Sequence, residues 1–301
     1  ILHKQLCLCW TLMTTPYTFP RFKEIFTTSS YYGFKHLKFR IRCLAALPQI
    51  KQFENFINAS PCWRTFFQKS AAASYPLIHT YLDKRFIFAS DSLEALITDL
   101  TRAEKLFGSS VIEKFNQEQP YVLAQINDHL TLQLNRNDLC SNEGFWAVSL
   151  RDESGKRLYT STFAFTKDNG LLITSVQGPA GENAKDIVRS LTKTMHGLRP
   201  QQFMIIVLQL LAARFGINSL LGISQEHHVK IRWKLKKRVL INYNEFWQSV
   251  QGQKLSNGYW SLPQSFPRKS EAEIESKKRS MYRKRHQMLD DIENSINQKF
   301  V

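Results

Sequence analysis

The feature that most constrains the fold is a series of short alternating segments between residues 121 and 176, separated by turn signals. Leu130, Leu132 and Leu134 alternate with polar residues, and the Asp-Asn-Gly sequence at 168–170 marks a turn before the last segment. Alternation with a period of two is typical of a strand with one buried face, and strands joined by tight turns pair antiparallel. The chain is therefore predicted to form an antiparallel β-meander of five strands, over residues 121–126, 130–134, 145–150, 158–165 and 171–176.

Helical periodicity flanks the meander on both sides. Leu93, Leu96 and Leu100 recur at helical spacing before it, one apolar face extends over residues 184–195 after it, and residues 203–215 are apolar on nearly every side. A helix that is apolar all round is expected to be buried. The predicted fold class is therefore α+β, with helices packed on the sheet and a long C-terminal helix. The predicted regions are a mostly helical one over 1–115, an α+β core over 116–266 and a basic helical tail over 267–301, helical from residue 271.

The strongly basic composition indicates an anionic partner. The formal net charge is +16, and such a surplus attracts phosphorylated cofactors, lipid headgroups or RNA without distinguishing among them. Two groups, residues 230–238 and 277–285, each carry six cations and no acid. Each group is either a solvated surface or a contact for RNA or anionic lipid. In the first, apolar residues from 229 to 235 alternate with cations, which predicts a strand with one basic face.

A third basic stretch, residues 31–44, mixes cations with aromatic residues. It predicts an amphipathic helix whose basic side is either solvated or in contact with nucleic acid or lipid. In the predicted C-terminal helix, Ile274, Met281 and Met288 are seven residues apart. That heptad spacing adds a further hypothesis, an assembly role through a short coiled coil.

Cysteine usage indicates a reducing compartment. The cysteines include no Cys-x-x-Cys pair and are Cys7, Cys9, Cys43, Cys62 and Cys140. An odd, scattered set suits neither a disulfide scaffold nor a zinc site, so we expect free thiols, no metal and a cytoplasmic location. No stretch reaches the roughly 18 apolar residues that a membrane span needs, so any membrane association is expected to be peripheral to the inner membrane.

The junction between the fifth strand and the next helix is a candidate anion site. Glycines allow the backbone to approach an anion closely, and a helix N-terminus offers free N–H groups. The alternative is a purely structural turn, which Glu182 in the first helical turn favours because it supplies a negative charge itself. The candidate cofactor-binding residues at this junction are Gln177, Gly178, Gly181, Lys185 and Arg189.

Two further segments carry candidate catalytic or binding residues. Between the two later helices, His196 could shuttle protons and Arg199 could bind an anion, although a histidine at such a position more often caps a helix. At the end of the strand predicted over 219–223, Glu226 and His228 are the residue types that act as catalytic bases. The alternatives for this second segment are a structural or ligand-positioning role, or a metal site.

Several short segments carry a resemblance to a known family: 177–179 (Gln-Gly-Pro), 192–200 (Thr-Lys-x-x-His-Gly-Leu-Arg-Pro), 222–224 (Gly-Ile-Ser), 228–229 (His-Val), 243–247 (Tyr-Asn-x-Phe-Trp), 258–263 (Gly-Tyr-Trp-x-Leu-Pro) and 269–285. In this order they resemble the bacterial family named for VirK and YbjX. The resemblance implies a role in virulence and the envelope, including resistance to cationic antimicrobial peptides and correct production or display of a surface virulence protein, without an established reaction. Asn244 stands where the family tends to have Asp. The helix near residues 101–102 also lacks the family's His-Tyr pair.

A meander followed by a glycine turn and a helix is also similar to the cofactor site of the N-acetyltransferase superfamily. The superfamily's loop pattern is Gln/Arg-x-x-Gly-x-Gly/Ala, and the spacing after Gln177 differs from it by one residue. The resemblance implies a CoA-dependent acyltransferase that uses CoA or acyl-CoA, with Glu226 or His228 taking the proton. This hypothesis predicts one cation-lined pocket where three segments meet: 177–181, 192–200 and 224–228.

Overall fold

The computed structural model describes residues 15–27, 33–231 and 241–300. These residues form two compact units. The first contains the described residues up to 119 together with 138–145, and the second contains 120–137 and the described residues from 146 onward. Within the described ranges, no helix is long and apolar enough to cross a membrane.

The first unit is helical and has an aromatic core. Pro48 and Pro61 stand at the starts of two of its helices, where proline loses no hydrogen bond. Phe66 and Phe67 both contact Phe145 edge to face, with ring centroids 5.7 and 5.8 Å apart. Its helices are α1 (Phe22–Ile25), α2 (Gly33–Ala45), α3 (Leu47–Ala59), α4 (Pro61–Lys69), α5 (Ala89–Phe107) and α6 (Ser109–Asn116), with 3-10 turns at Ala71–Ile78 and Ser141–Glu143.

Among the described residues, the second unit is built on an eight-stranded sheet, and its first five strands form the predicted meander. The spatial order is β1-β2-β3-β4-β5-β6-β8-β7, and every neighbouring pair is antiparallel except β5 and β6. The α+β prediction is thus confirmed. The strands are β1 (Tyr121–Asn127), β2 (Leu130–Arg136), β3 (Trp146–Asp152), β4 (Arg157–Thr166), β5 (Gly170–Gln177), β6 (Ser219–Gly222), β7 (Gln253–Lys254) and β8 (Trp260–Leu262).

Two helices, α7 (Ala184–Thr194) and α8 (Pro200–Arg214), connect the parallel strands β5 and β6. A tight turn reverses the chain and makes the two strands antiparallel, so parallel neighbours need a longer crossover connection. Helix α8 is buried along almost its whole length, as its continuous apolar sequence predicts. The crossover brings the ends of β5 and β6 to the same edge of the sheet, where the second candidate catalytic segment begins.

The C-terminal region contains α9 (Tyr243–Ser249) and α10 (Arg279–Lys299), and the predicted helix start at residue 271 is wrong. Ser270 and Glu273 form a capping box that starts an isolated 3-10 turn at Glu271–Glu273. Ile274 then adopts extended backbone, so the helix cannot continue. A second short turn, Ser276–Lys278, leads into α10.

The apolar face of α10 packs on β1 within the chain. Met288, Ile292 and Ile296 are buried, and Ser295 Oγ donates a hydrogen bond to Leu123 O at 2.6 Å. The apolar face of α10 that a coiled coil would need is thus already buried against β1 in the C-terminal half of the helix.

The strand predicted from residue 229 is wrong in its described part. Val229 and Lys230 lie in a turn. The rest of that prediction, like most of the basic group 230–238, falls on residues 232–240 and lies outside the described residues.

Candidate functional site

Trp247 joins α9 to the segment that follows β6. Its indole N–H donates to Ile223 O at 2.7 Å, and its ring is fully buried. A Cβ added at Gly222 would lie 2.6 Å from the ring, so only glycine leaves room for it. The sequence motifs 222–224 and 243–247 therefore form one packed unit.

Tyr243 connects this unit to the end of β5. Its hydroxyl accepts a hydrogen bond from Val176 N at 3.2 Å, and the His228 ring stacks on it with centroids 5.0 Å apart. His228 is nearly fully buried, and its Nδ1 accepts from Lys230 N at 3.1 Å. An Nδ1 that accepts is unprotonated, so the neutral ring carries its proton on Nε2. In this geometry His228 is a hydrogen-bond donor at Nε2.

Asn244 is the hub of the polar part of the cluster. Its Oδ1 accepts from Gln225 N at 3.2 Å and from the Trp260 indole N–H at 3.1 Å. Its Nδ2 donates to Glu226 Oε1 at 2.9 Å. One side chain thus ties together the segment 224–228 and two segments that carry the family resemblance, 243–247 and 258–263.

Glu226 is a strongly acidic carboxylate in this cluster. Partial burial works to raise its pKa, but its own backbone N–H, the Asn244 amide and nearby Lys254 lower the pKa to about 2. Lys254 Nζ lies 3.4 Å from Glu226 Oε1. A general base works best with a pKa near the operating pH, and a carboxylate this acidic is poorly matched to that task. The arrangement is better suited to holding a hydrogen-bond donor or a cation.

The glycine junction after β5 has a local structural explanation. A Cβ at Gly178 would lie 2.7 Å from the Tyr159 ring, and Gly181 has φ of +93°, which favours glycine. Gln177 Nε2 donates to Ser175 Oγ at 3.2 Å. Lys185 is exposed. An exposed Arg189 pairs with Asp186 at 3.1 Å, and the cofactor-binding role of these residues remains a prediction.

The connection between α7 and α8 closes with two residues in left-handed conformation. His196 has φ of +50° and Gly197 has φ of +78°. The His196 carbonyl accepts hydrogen bonds from Arg285 Nε and Nη2, at 3.1 and 2.7 Å. Burial, Lys284 and Arg285 lower the pKa of the His196 ring, which is therefore neutral at pH 7. His196 lines an open cleft of about 620 Å³ together with Lys284.

The three segments predicted to share one pocket are only partly brought together. The segment 224–228 meets the end of β5 through Tyr243, whereas His196 contacts α10. Arg199 is exposed. Across the part of the chain that the structure describes, no hydrogen bond or ion pair joins Glu226 or His228 to the predicted anion-binding cations, which are Lys185, Arg189 and Arg199. Their joint action in catalysis remains a hypothesis.

Half of the cations in the second basic group have carboxylate partners. Lys277 and Lys278 both lie near Glu275, at 3.5 and 3.2 Å, and Arg283 lies 3.2 Å from Glu271. These surface pairs reduce the charge available to RNA or lipid along residues 277–285.

In the first unit, α2 exposes an apolar surface that sequence reasoning did not single out. Phe34, Leu37, Ile41 and Leu44 are 75%, 55%, 57% and 65% exposed, whereas Phe39 on the opposite side is buried. We call these four residues the α2 stripe. Their spacing of three and four residues was the available signal. The helix contains no Asp or Glu, and its exposed cations are Lys35, Lys38 and Arg40.

Comparison with known proteins identifies the family. The family described as "Protein of unknown function (DUF535)" matches residues 29–298. The chain belongs to the DUF535 family. An uncharacterized protein of Haemophilus influenzae is 36% identical to this DUF535 chain over 279 residues, which cover 93% of the chain and 92% of the relative.

Two relatives carry names. Membrane protein LapB of Mannheimia haemolytica is 36% identical over 204 residues, covering 67% of the DUF535 chain and 87% of LapB. The uncharacterized protein YbjX of Escherichia coli is 31% identical over 172 residues, covering 55% of the chain and 52% of YbjX. The resemblance to the VirK and YbjX family is thereby confirmed. No solved structure is significantly similar to the chain.

Proposed function

We propose that this DUF535 protein supports the bacterial envelope from the cytoplasmic face of the inner membrane, where the α2 stripe binds anionic lipid. The observation that carries the proposal is an exposed apolar stripe on a helix whose charged residues are all cations. The relative LapB is called a membrane protein. The VirK/YbjX resemblance supplies the biological context: display of a surface virulence protein and resistance to cationic antimicrobial peptides.

The geometry of α2 suits a helix that lies flat on a bilayer. Interfacial helices bury their apolar face about 5–10 Å deep at the boundary between headgroups and acyl chains. The stripe faces away from Phe39, the side chain that anchors α2 to its own unit. The stripe can therefore enter the lipid while the fold stays intact.

The positive charge of α2 favours anionic lipid over uncharged apolar partners. Lys38 and Arg40 flank the stripe on its two sides, and Lys35 lies one turn earlier than Lys38. Each cation near an anionic leaflet contributes about 1 kcal/mol. Three of the four stripe residues are aliphatic, whereas recognition of single-stranded RNA depends on aromatic stacking. The chemistry therefore favours an anionic bilayer.

The expected affinity is moderate. Half-burial of each stripe side chain contributes about 1 kcal/mol, and the three cations add about 3 kcal/mol at low salt. The total of about 7 kcal/mol corresponds to a dissociation constant on the order of 10 µM.

The proposal is tested by sedimentation of the purified full chain with vesicles of phosphatidylethanolamine and phosphatidylglycerol. The double variant Leu37→Gln, Ile41→Gln loses about 2 kcal/mol of apolar burial, which weakens binding about 30-fold. Its matched control is Ile87→Gln, Phe88→Gln, an apolar pair of the first unit outside α2 that is somewhat more exposed than Leu37 and Ile41. Binding that is unchanged in the stripe variant, or weakened equally in the control, contradicts the proposal.

Two double variants, each of which removes two lysine charges, test the electrostatic contribution to lipid binding. Lys35→Gln, Lys38→Gln weakens binding to anionic vesicles about 30-fold at low salt, and this difference shrinks as salt screens the charges. Lys51→Gln, Lys105→Gln removes the same charge from exposed positions elsewhere in the first unit and leaves binding nearly unchanged. Failure of the unaltered protein to bind vesicles while it binds single-stranded RNA through α2 overturns the proposal in favour of RNA.

A further inference from the structure

Arg285 of α10 is a buried cation that binds a backbone carbonyl. It is only 8% exposed. Its Nε and Nη2 donate to the His196 carbonyl, and its guanidinium carbon lies 4.2 Å from the centroid of the Tyr282 ring. Among the residues that the structure describes, no Asp or Glu lies within ion-pair distance of it. Because buried charges are normally paired, this cation calls for an anion.

The guanidinium retains an edge for such an anion. Arginine has five N–H donors in a planar fork, and the His196 carbonyl uses the Nε side. Nη1 makes no hydrogen bond within the described part of the chain. The Nη1–Nη2 edge has the geometry that binds two oxygens of a phosphate or carboxylate at once.

A cavity of about 220 Å³ lies against this arginine. Residues of α8, the end of α9, the segment 263–269 and the start of α10 line it. Lys269 adds positive charge to that of Arg285, and no Asp or Glu is among the described residues that line the cavity. Hydrogen bonds from Ser270, and to a smaller extent the charge of Lys269, lower the pKa of Glu273, whose carboxylate lies outside the lining. The cavity therefore has a positive polar end.

The buried side-chain amide of Gln209 is a second, independent indication of a ligand in the cavity. It is 6% exposed and lines the cavity from α8. Its Nε2 donates to Pro263 O at 2.8 Å, which fixes the orientation of the amide because that carbonyl can only accept. Its buried Oε1 has no hydrogen-bond partner among the described residues. Such an acceptor calls for a donor, which a ligand hydroxyl or an ordered water can supply.

We propose that this cavity binds a small phosphomonoester that also carries a hydroxyl group. The phosphate lies against Arg285 with Lys269, and the hydroxyl donates to Gln209. Two permanent cations match the charge of a phosphomonoester, which is between −1.5 and −2 at about pH 7. An engineered cavity of about 150 Å³ holds benzene, so this one accepts a ligand of roughly ten non-hydrogen atoms and excludes CoA. The site lies wholly in the second unit and is independent of the α2 stripe.

The test is calorimetric titration of the purified full chain with glycerol phosphate as probe. Glycerol lacks the phosphate group and inorganic phosphate lacks the glycerol hydroxyl, so each is expected to bind more weakly. A lysophospholipid whose headgroup is glycerol phosphate distinguishes a lipid ligand from a soluble one. Binding as tight as that of glycerol phosphate identifies a headgroup site, and much weaker binding identifies a site for a soluble phosphomonoester. No binding of glycerol phosphate by the unaltered protein overturns the proposal.

Variants assign the binding to this cavity. Lys269→Gln, an exposed position, and Arg285→Met each weaken glycerol phosphate binding about tenfold or more. Arg283→Met, an exposed arginine two residues earlier on α10, leaves it unchanged. Gln209→Leu removes the preference for glycerol phosphate over inorganic phosphate. Thermal unfolding without ligand confirms that each variant is folded, and undiminished binding in both Lys269→Gln and Arg285→Met refutes the site.

Discussion

Substitution of Gly222 by alanine tests the packing that assembles the site. The new methyl group would lie 2.6 to 2.9 Å from three atoms of the Trp247 ring, whereas carbon atoms pack best at about 3.5–4.0 Å. The ring is fully buried and hydrogen-bonded to Ile223 O, so it cannot rotate away freely. Overpacking costs about 1–3 kcal/mol, and disturbing the buried hydrogen bond adds about 1 kcal/mol. We expect Gly222→Ala to destabilise the protein by about 3 kcal/mol.

Calorimetric unfolding measures this effect, which corresponds to a fall in Tm of roughly 6–12 °C for a unit of this size. Gly155→Ala is the control, because Gly155 has φ of +79° and open space around it. It carries backbone strain of about 1 kcal/mol without a clash. A change in Tm for Gly222→Ala no larger than that of the control would show that the packing of Trp247 on Gly222 is not as described.

Two further substitutions probe buried and partly buried acids. Asn244→Asp replaces the amide donor to Glu226 with a second carboxylate, so the pKa of Glu226 rises from about 2, as an NMR titration of its carboxyl carbon would report. The pKa of Glu226 in the folded state lies below the usual 4.5, so ionised Glu226 stabilises the fold above about pH 4.5. This stabilisation is lost as the pH falls towards 2. Asn244→Asp makes the stabilisation smaller, because it brings the folded-state pKa closer to the usual one. Tyr81→Phe removes the buried 2.5 Å hydrogen bond to Asp99 and costs about 2 kcal/mol in urea unfolding, and a loss below about 0.5 kcal/mol would contradict it.

The meander was predictable because its signals are local. Alternation and turn sequences located β1 to β5 within two residues of their ends, and continuous apolarity identified α8 as buried. Strands β7 and β8 have two and three residues, too few to show a period. The start of α10 was mispredicted because the 3-10 turn that begins after Ser270 ends at extended Ile274, where the sequence favours continuation.

The candidate sites depend on contacts between residues far apart in the chain. Asn244 joins Gln225 to Trp260, and nothing in the local sequence around any of them indicates this. Arg285 was counted as one of six surface cations. It lies four residues after Met281 and three before Met288, which places it on the apolar face of α10, and that spacing was the signal for its burial.

Hydrogen exchange of the full chain with and without phosphatidylglycerol vesicles tests the membrane-surface account most directly. We expect vesicles to slow backbone exchange in peptides that cover α2, residues 33–45, and to leave the sheet of the second unit unchanged. Protection confined to α10, or no protection of α2 at lipid concentrations that saturate binding, would contradict the claim that the α2 stripe is the surface that enters the membrane.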